Sequence, residues 1–317
     1  MSASTSSTRA TAPAKIILLG EHAVVYDQPA IAVPVTQRRA TVIVEPGRPH
    51  AGVILHAETL GRRYLLDAVP ADEPLAFTVR NVLRRLGIRS EPDLRITITS
   101  TIPIASGLGS GAAVATALIR ALSTHLGVRL SPEQVSGLVY ETEKLHHGTP
   151  SGIDNTVIAF ECPIWFRRDT PPELFSVVTP FHFLIADTGV ASPTRLTVSE
   201  VRARWAADPV TYGRYFERIG TVVEAARLAL ESGDARALGR LMNANQELLR
   251  PLDVSAPANE RLIEAALQAG AFGAKLSGGG RGGNIVVLID PAAAEGVQSS
   301  LLAAGAHCVF QTVLEPI

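Results

Sequence analysis

The spacing of apolar and polar residues predicts short strands in the first hundred residues of the chain. Residues 15–19 and 30–35 are almost continuously apolar, as is typical of buried strands. Residues 40–44 and 94–99 alternate between apolar and polar side chains, which indicates strands with one exposed face. Between these strands, residues 75–86 have the pattern of a helix.

Two helices are predicted in the middle of the chain. Residues 111–126 are rich in Ala, Val and Leu, which indicates a buried helix. The next helix has a recognisable start, because Ser131 suits the N-cap, Pro132 the first turn and Gln134 the third position after the cap.

The same helix has an apolar face with a period close to 3.6 residues. That face is formed by Val135, Leu138, Val139 and Leu145. The spacing predicts that Glu143 lies away from the core, on an exposed face, and that the helix ends near residues 148–150.

The second half of the chain is predicted to contain more helices than strands. A strand at 181–186 is followed by helices at 215–231, 235–249 and 259–269, strands at 273–277 and 284–289, a helix at 292–303 and a strand at 308–314. This order predicts two α+β lobes: a disordered tail at 1–12, an N-terminal domain at 13–180 and a C-terminal domain at 181–317.

Composition narrows the class of protein. The chain has 317 residues, of which 46% are hydrophobic, and a formal net charge of −1, so nothing indicates general affinity for nucleic acid or anionic membranes. Its two cysteines, Cys162 and Cys308, do not form a disulfide framework or a zinc motif. With no signal peptide and no apolar run of membrane-spanning length, a cytoplasmic location is expected.

A glycine- and serine-rich segment lies between a predicted strand and a predicted helix, at residues 103–113. Gly107 and Gly109 would let backbone N–H groups approach an anion, and Ser106 and Ser110 add hydroxyls. The segment lacks the Gly-Lys-Ser/Thr of a Walker A loop and the G-x-G-x-x-G of a dinucleotide site. It suits either a phosphate site or a tight turn whose glycines serve packing.

Four further features permit a chemical or a structural interpretation. Residues 278–283 form a second glycine-rich segment, which is either an anion-binding loop or a hairpin loop. Lys15 is a candidate phosphate or hydroxyl contact, or a solvated strand residue. Asp154 is either a general base or a turn former, and Glu143 either a Mg²⁺ ligand or a solvated charge.

Taken together, these segments resemble the GHMP kinase superfamily and, within it, the mevalonate kinase family. The resemblance rests on the segments at 13–22, 103–113 and 275–283, together with residues 20–26, 147–155 and 241–249. It covers the chain from Pro13 onward.

The resemblance implies an α+β, two-lobed GHMP kinase fold with an S5-like N-terminal domain, a ferredoxin-like C-terminal domain and the active site between them. It also implies ATP and Mg²⁺ as cofactors and a small-molecule substrate, mevalonate, phosphorylated on its C5 hydroxyl in isoprenoid precursor synthesis. Family members are often dimers, so a homodimer is one expectation.

The resemblance further assigns roles to individual residues. Asp154 would be the base and Lys15 its partner, and Glu143 and Ser110 would bind Mg²⁺. Glu21, His22, Thr194 and Gly279, with Lys15, would bind the substrate. The ATP phosphates would be bound by Pro103, Ile104, Ala105, Ser106, Gly107, Leu108, Gly109, Ser110, Gly111, Ala112 and Ala113.

Two positions depart from the family pattern. Gly111 replaces a serine that is a usual Mg²⁺ ligand, and Arg281 interrupts the last glycine run. Alternatives are a phosphomevalonate kinase, in which Arg195 or Arg281 would contact the substrate phosphate, another GHMP small-molecule kinase, or a decarboxylase of diphosphorylated mevalonate. A catalytically inactive ligand-binding regulator is the remote alternative.

Overall fold

The computed structural model describes residues 6–103, 107–147, 150–192 and 194–316, without the side chains of residues 146 and 147. The chain forms two compact units that interleave along the sequence. Strands β1 (Thr8–Leu19) and β2 (Ala30–Pro46) each pass from one unit into the other. The domain boundary expected from the sequence at residue 180 stays a prediction.

The first unit comprises Met1–Ala14, Arg38–Pro103 and Gly109–Glu161. Besides parts of β1 and β2, it contains β3 (Val53–Ala57), β4 (Arg62–Leu65), α1 (Pro74–Arg85), β5 (Leu94–Ser100), α2 (Ser110–His125), α3 (Pro132–His147) and α4 (Ile153–Phe160).

In this unit a mixed sheet is combined with four helices. The second half of β2 pairs antiparallel with β5, β5 pairs parallel with β3, and β3 pairs antiparallel with β4. Helix α3 contacts α1, α2 and α4, and α2 also contacts β5. Burial of apolar side chains such as Leu118, Val139 and Val157 stabilises this arrangement.

The second unit comprises Lys15–Gln37, Ile104–Leu108 and Cys162–Ile317. Its elements are β6 (Ile164–Phe166), β7 (Glu173–Leu174), β8 (Phe181–Asp187), α5 (Thr194–Ala207), α6 (Pro209–Ser232), α7 (Ala235–Leu249), α8 (Pro257–Gln268), β9 (Gly273–Ser277), β10 (Asn284–Ile289), α9 (Ala294–Ala303) and β11 (Cys308–Leu314).

Strands β8 to β11 form an antiparallel sheet in the order β11-β8-β10-β9. The first and third strands along the chain therefore lie in the centre and the second and fourth at the edges, which is the ferredoxin-like arrangement predicted for the C-terminal half. Helices α8 and α9 pack on the sheet, where Leu262 and Leu301 join a core with Leu184, Ile285 and Val287. The α+β fold class is confirmed.

The predicted tail is partly wrong. Strand β1 begins at Thr8, so residues 8–12 belong to a strand. Ala12 is fully buried, and the backbone oxygen of Thr11 accepts a hydrogen bond from Arg120 at 3.1 Å. The Ser-, Thr- and Ala-rich composition suggested a tail, but small side chains are also what a closely packed strand accommodates.

Two helices of the structure have no counterpart in the sequence predictions. Helix α5 buries only Thr197 and Val201, so its sequence has no clear apolar face. Helix α4 is short and starts after Gly152, whose φ of +90° suits a turn. Within the part of the chain that the structure describes, no helix is both long enough and apolar enough to span a membrane.

Candidate active site

The first glycine-rich segment leads the chain into helix α2. Gly107 and Gly109 have φ values of +81° and +72°, a left-handed conformation that glycine adopts without strain. Gly109 is the N-cap of this 16-residue helix, whose first turn holds no acidic residue. The free N–H groups and the dipole at such a helix start favour an anion, as a phosphate site requires.

The residues expected to contact phosphates differ in accessibility. Ser110 is partly exposed and Gly111 exposed, whereas Ala112 and Ala113 are buried in the core. The N–H of Ala113 donates to the Gly109 carbonyl at 2.9 Å, so this N–H is used within the helix and not for a phosphate. Ile104, Ala105 and Ser106 lie outside the described residues.

Glu143 is buried, with only 6% of its surface exposed, so its predicted position on an exposed face is wrong. Helix α3 packs against three other helices, which covers more of its surface than one apolar stripe. Leu145, predicted to be in that stripe, is instead 40% exposed. A Cβ atom at Gly111 would lie 3.4 Å from Oε1 of Glu143, so the carboxylate lies beside the first turn of α2.

Asp154 lies in the first turn of α4, partly exposed. Its neighbours fix its position: Ile153 is buried, and the Asn155 amide donates to the Ser136 hydroxyl at 2.8 Å and to the Ser136 carbonyl at 3.2 Å. The turn predicted from the sequence is therefore a helix start anchored on α3. Residues 148 and 149 of the same motif lie outside the described residues.

In the second unit, Lys15 lies within β1 and is 3% exposed. Its backbone N–H donates to the carbonyl of Leu108 at 3.0 Å, which ties the strand to the glycine segment. Two residues further along β1, the Ile17 carbonyl accepts a hydrogen bond from the Ser277 hydroxyl at 2.9 Å. The start of the second glycine loop is thus attached to the same strand.

Glu21 forms a fully buried ion pair with Lys275. Nζ of Lys275 donates to Oε1 of Glu21, and both side chains are at most 1% exposed. Burial raises the pKa of Glu21, an effect that the charge of Lys275 opposes, and burial lowers the pKa of Lys275, which Glu21 opposes. Oε2 of Glu21 has no hydrogen-bond partner among the residues that the structure describes.

His22 connects this pair to the second glycine loop. Nε2 of His22 lies 3.1 Å from the Gly279 carbonyl, so Nε2 carries the proton and donates. Burial lowers the pKa of His22 to about 4, which keeps the ring neutral. Nδ1 is then a buried acceptor, and no described residue donates to it.

Thr194 contacts the same loop from the start of α5. A Cβ atom at Gly279 would lie 2.6 Å from the Thr194 hydroxyl oxygen, so only glycine fits. The structure thus brings Glu21, His22, Gly279 and Thr194 together, whereas their role in substrate binding stays a prediction. It adds Lys275, whose role the motif alone did not indicate.

The loop at 278–283 joins two antiparallel strands, β9 and β10, which confirms a strand after the glycine segment. Arg281, which interrupts the glycine run, forms ion pairs with Glu200 and with Asp253, the latter at 3.0 Å. Its N–H also donates to the Val254 carbonyl at 2.7 Å. This arginine is therefore held by carboxylates of its own unit.

The donors available for a metal ion are few. Among the side chains that the structure describes, which do not include those of residues 146 and 147, no group of three or more His, Cys, Asp or Glu could hold a metal. Mg²⁺ in nucleotide sites usually takes one or two carboxylates together with phosphate oxygens and water. A single buried carboxylate at Glu143 beside the start of α2 suits that mode.

Comparisons with known proteins show which family the chain matches and which proteins it is similar to. Residues 75–161 match the family described as GHMP kinases N terminal domain, and residues 223–307 match GHMP kinases C terminal. Mevalonate kinase of Pyrococcus furiosus is 36% identical over 88% of each chain, and that of Aeropyrum pernix 32% identical over 97% of this chain and 96% of its own.

A solved structure is similar over nearly the whole chain. The crystal structure of L. major mevalonate kinase in complex with R-mevalonate superposes with a TM-score of 0.86 at 28% identity. The match covers 99% of this chain and 98% of the other.

Proposed function

The chain belongs to the GHMP kinase superfamily, whose kinases phosphorylate small-molecule alcohols, and from this we propose that it transfers the γ-phosphoryl group of MgATP to the C5 hydroxyl of mevalonate. The substrate is suggested by the relatives named mevalonate kinase, of which the L. major enzyme was solved with R-mevalonate. The proposal places the chain in isoprenoid precursor synthesis.

One observation on this chain carries the choice of an alcohol substrate. Oε2 of Glu21 and Nδ1 of His22 are buried acceptors that no described residue satisfies. Buried polar atoms in proteins are nearly always hydrogen-bonded, so such atoms suggest a ligand. Buried acceptors suit a ligand with hydroxyl donors, such as mevalonate.

The residues present fit ATP and Mg²⁺. Gly107, Gly109 and the start of α2 would hold the phosphates, because their backbone N–H groups and the helix dipole favour negative charge. Glu143, with the Ser110 hydroxyl, would hold the metal ion. When bound, MgATP supplies the phosphoryl group and neutralises part of its charge.

Asp154 and Lys15 are the residues to which we assign the proton and charge chemistry. Asp154 accepts the proton of the C5 hydroxyl, so that the oxygen becomes a better nucleophile. The ammonium group of Lys15 stabilises the negative charge that develops on that oxygen and on the transferred group. In phosphoryl transfer, positioning and charge stabilisation of this kind account for most of the catalysis.

A phosphorylated substrate is less well supported. A phosphomevalonate kinase would need cationic side chains for the substrate phosphate, and Arg281 is already paired with Glu200 and Asp253. Breaking those pairs would be required before Arg281 could bind a phosphate.

The test is an ADP-release assay with MgATP and one candidate substrate per reaction: mevalonate, 5-phosphomevalonate, homoserine or galactose. ADP release with mevalonate alone is the expected result. Release with 5-phosphomevalonate alone would agree with the fold and the type of reaction but would identify a different substrate. No release in any reaction would contradict the proposal.

A further inference from the structure

Lysine is rare in this chain, and two of its three lysines are buried. Of the 29 Lys and Arg residues, only Lys15, Lys144 and Lys275 are lysines. Lys144 is exposed, but Lys15 and Lys275 are 3% and 0% exposed. An ammonium is a compact point charge, whereas the guanidinium of arginine is larger and planar, so the two are not interchangeable at buried sites.

Lys275 is held in one orientation by two acceptors. Its Nζ donates to Oε1 of Glu21 and to the backbone carbonyl of Leu276, the latter at 2.5 Å. Lys275 lies in β9, paired with Val286 of β10, so the ammonium projects from a rigid sheet. Only one oxygen of Glu21 is used by this contact, and the other is left as an acceptor.

The charges around Glu21 make Lys275 the main stabiliser of its carboxylate. Burial favours the neutral acid and raises the pKa, whereas Lys275, by charge and hydrogen bond, and Lys15, by charge, lower it. The adjacent His22 is neutral, since burial lowers its pKa to about 4. Without Lys275, burial would be opposed mainly by the Lys15 charge and by a backbone hydrogen bond.

We propose that Lys275 is a positioning residue for the kinase reaction: it keeps Glu21 ionised and fixes its carboxylate, so that Oε2 accepts a hydrogen bond from a substrate hydroxyl. The inference rests on the proposed alcohol kinase function. Lys275 itself does not touch the substrate and acts through Glu21.

The first experiment measures the pH dependence of kcat/KM for mevalonate in Lys275→Met. The acid limb of the profile is expected to move to higher pH by about one unit or more, since loss of a nearby opposite charge raises a carboxyl pKa by that amount. At neutral pH, KM for mevalonate rises and kcat/KM falls by about 10- to 150-fold, as for a lost hydrogen bond to a charged group. KM for ATP stays near the wild-type value.

Two variants serve as controls. Lys144→Met makes the same change at an exposed lysine, and its profile should match the wild type. Lys275→Arg retains the charge, so its acid limb should stay near the wild-type pH even where the larger side chain lowers stability. A folded Lys275→Met protein with unchanged KM and acid limb would overturn the inference.

A second readout does not depend on activity. Burial raises the pKa of Glu21 and Lys275 opposes that rise, so in Lys275→Met the pKa should be higher still. The free energy of unfolding of this variant should therefore fall more steeply than that of the wild type as pH rises above 4.5, the ordinary pKa of Glu. In the double variant Lys275→Met/Glu21→Gln this fall should be absent, and urea unfolding at several pH values compares the two. An inactive wild type contradicts the proposed function, whereas equal pH dependence of these variants contradicts the role of Lys275.

Discussion

Gly111 lies in the first turn of α2 beside Glu143, and a Cβ atom at this glycine would lie 3.4 Å from Oε1 of the carboxylate. This distance is an ordinary van der Waals contact, so a small side chain fits without displacement. The glycine thus leaves open the position where the family often has a serine that binds the metal.

Gly111→Ser is therefore expected to increase the affinity of the site for Mg²⁺. The added hydroxyl lies next to Glu143 and offers an oxygen ligand of the kind Mg²⁺ prefers. The Mg²⁺ concentration for half-maximal activity should fall several-fold, measured at saturating ATP and mevalonate.

Gly111→Ala distinguishes the effect of the added hydroxyl from the effect of replacing a helical glycine. Both variants replace a helical glycine, and the alanine variant should gain about 0.5–1 kcal/mol in the free energy of unfolding. It should leave the Mg²⁺ requirement unchanged. An equal effect of both variants on Mg²⁺ would exclude the added oxygen as its cause.

Asp154→Asn should lower kcat by about 10²–10⁴-fold, because an amide cannot accept the substrate proton as a carboxylate does. Nucleotide affinity should remain, since the proposed phosphate site lies in another segment. Single-turnover kinetics and nucleotide titration measure the two effects.

Asp169→Asn is the matched control for this change. Asp169 is exposed, with a φ of +56° that asparagine also tolerates, so the variant should keep full activity. Normal turnover of Asp154→Asn would remove Asp154 from the proposed mechanism.

Gly279→Ala tests the contact between the second glycine loop and α5. The new Cβ would lie 2.6 Å from the Thr194 hydroxyl oxygen and 2.8 Å from the Thr194 Cα, which forces the loop or the helix to move. Because His22 also contacts this loop through the Gly279 carbonyl, KM for mevalonate should rise more than KM for ATP.

The same substitution at Gly296 is the control. Gly296 lies in α9, where a Cβ atom meets nothing within 4 Å. Gly296→Ala should leave both KM values unchanged. Equal KM values in Gly279→Ala and the wild type would mean that the loop does not contribute to substrate binding.

Local sequence signals predicted most strands and several helix starts, but not those of α4 and α5. The start of α3 is an example: the Ser131 hydroxyl accepts from the Gln134 N–H at 3.3 Å, and the Gln134 side chain accepts from the Ser131 N–H at 3.0 Å. This reciprocal cap depends on residues three apart, so the sequence alone contains the information.

Features set by distant contacts were not predictable in this way. The burial of Glu143 follows from the helices around α3, and the pairing of Glu21 with Lys275 joins residues 254 positions apart. The count of only three lysines was a usable signal for Lys275, but it gains meaning only once two of them are seen to be buried.

His22 should make the stability of the protein depend on pH. Burial lowers its pKa from 6.5 to about 4, so the folded state disfavours the proton that the unfolded state binds. The stabilisation is complete above pH 6.5 and is lost as pH falls from 6.5 towards 4, where the folded protein also binds the proton. The loss attributable to His22 is about 3 kcal/mol.

Comparing His22→Asn with the wild type isolates this effect from that of the carboxyl groups. Urea unfolding at pH 7.5 and pH 4.5 should show the wild type losing more free energy of unfolding than His22→Asn, by up to about 3 kcal/mol. Asparagine suits the left-handed φ of +61° at this position, which limits backbone strain in the variant. His307→Asn, at an exposed site, should lose as much as the wild type. If His22→Asn also loses as much free energy of unfolding as the wild type, His22 binds its proton equally in the folded and unfolded states. Its burial would then not control its charge.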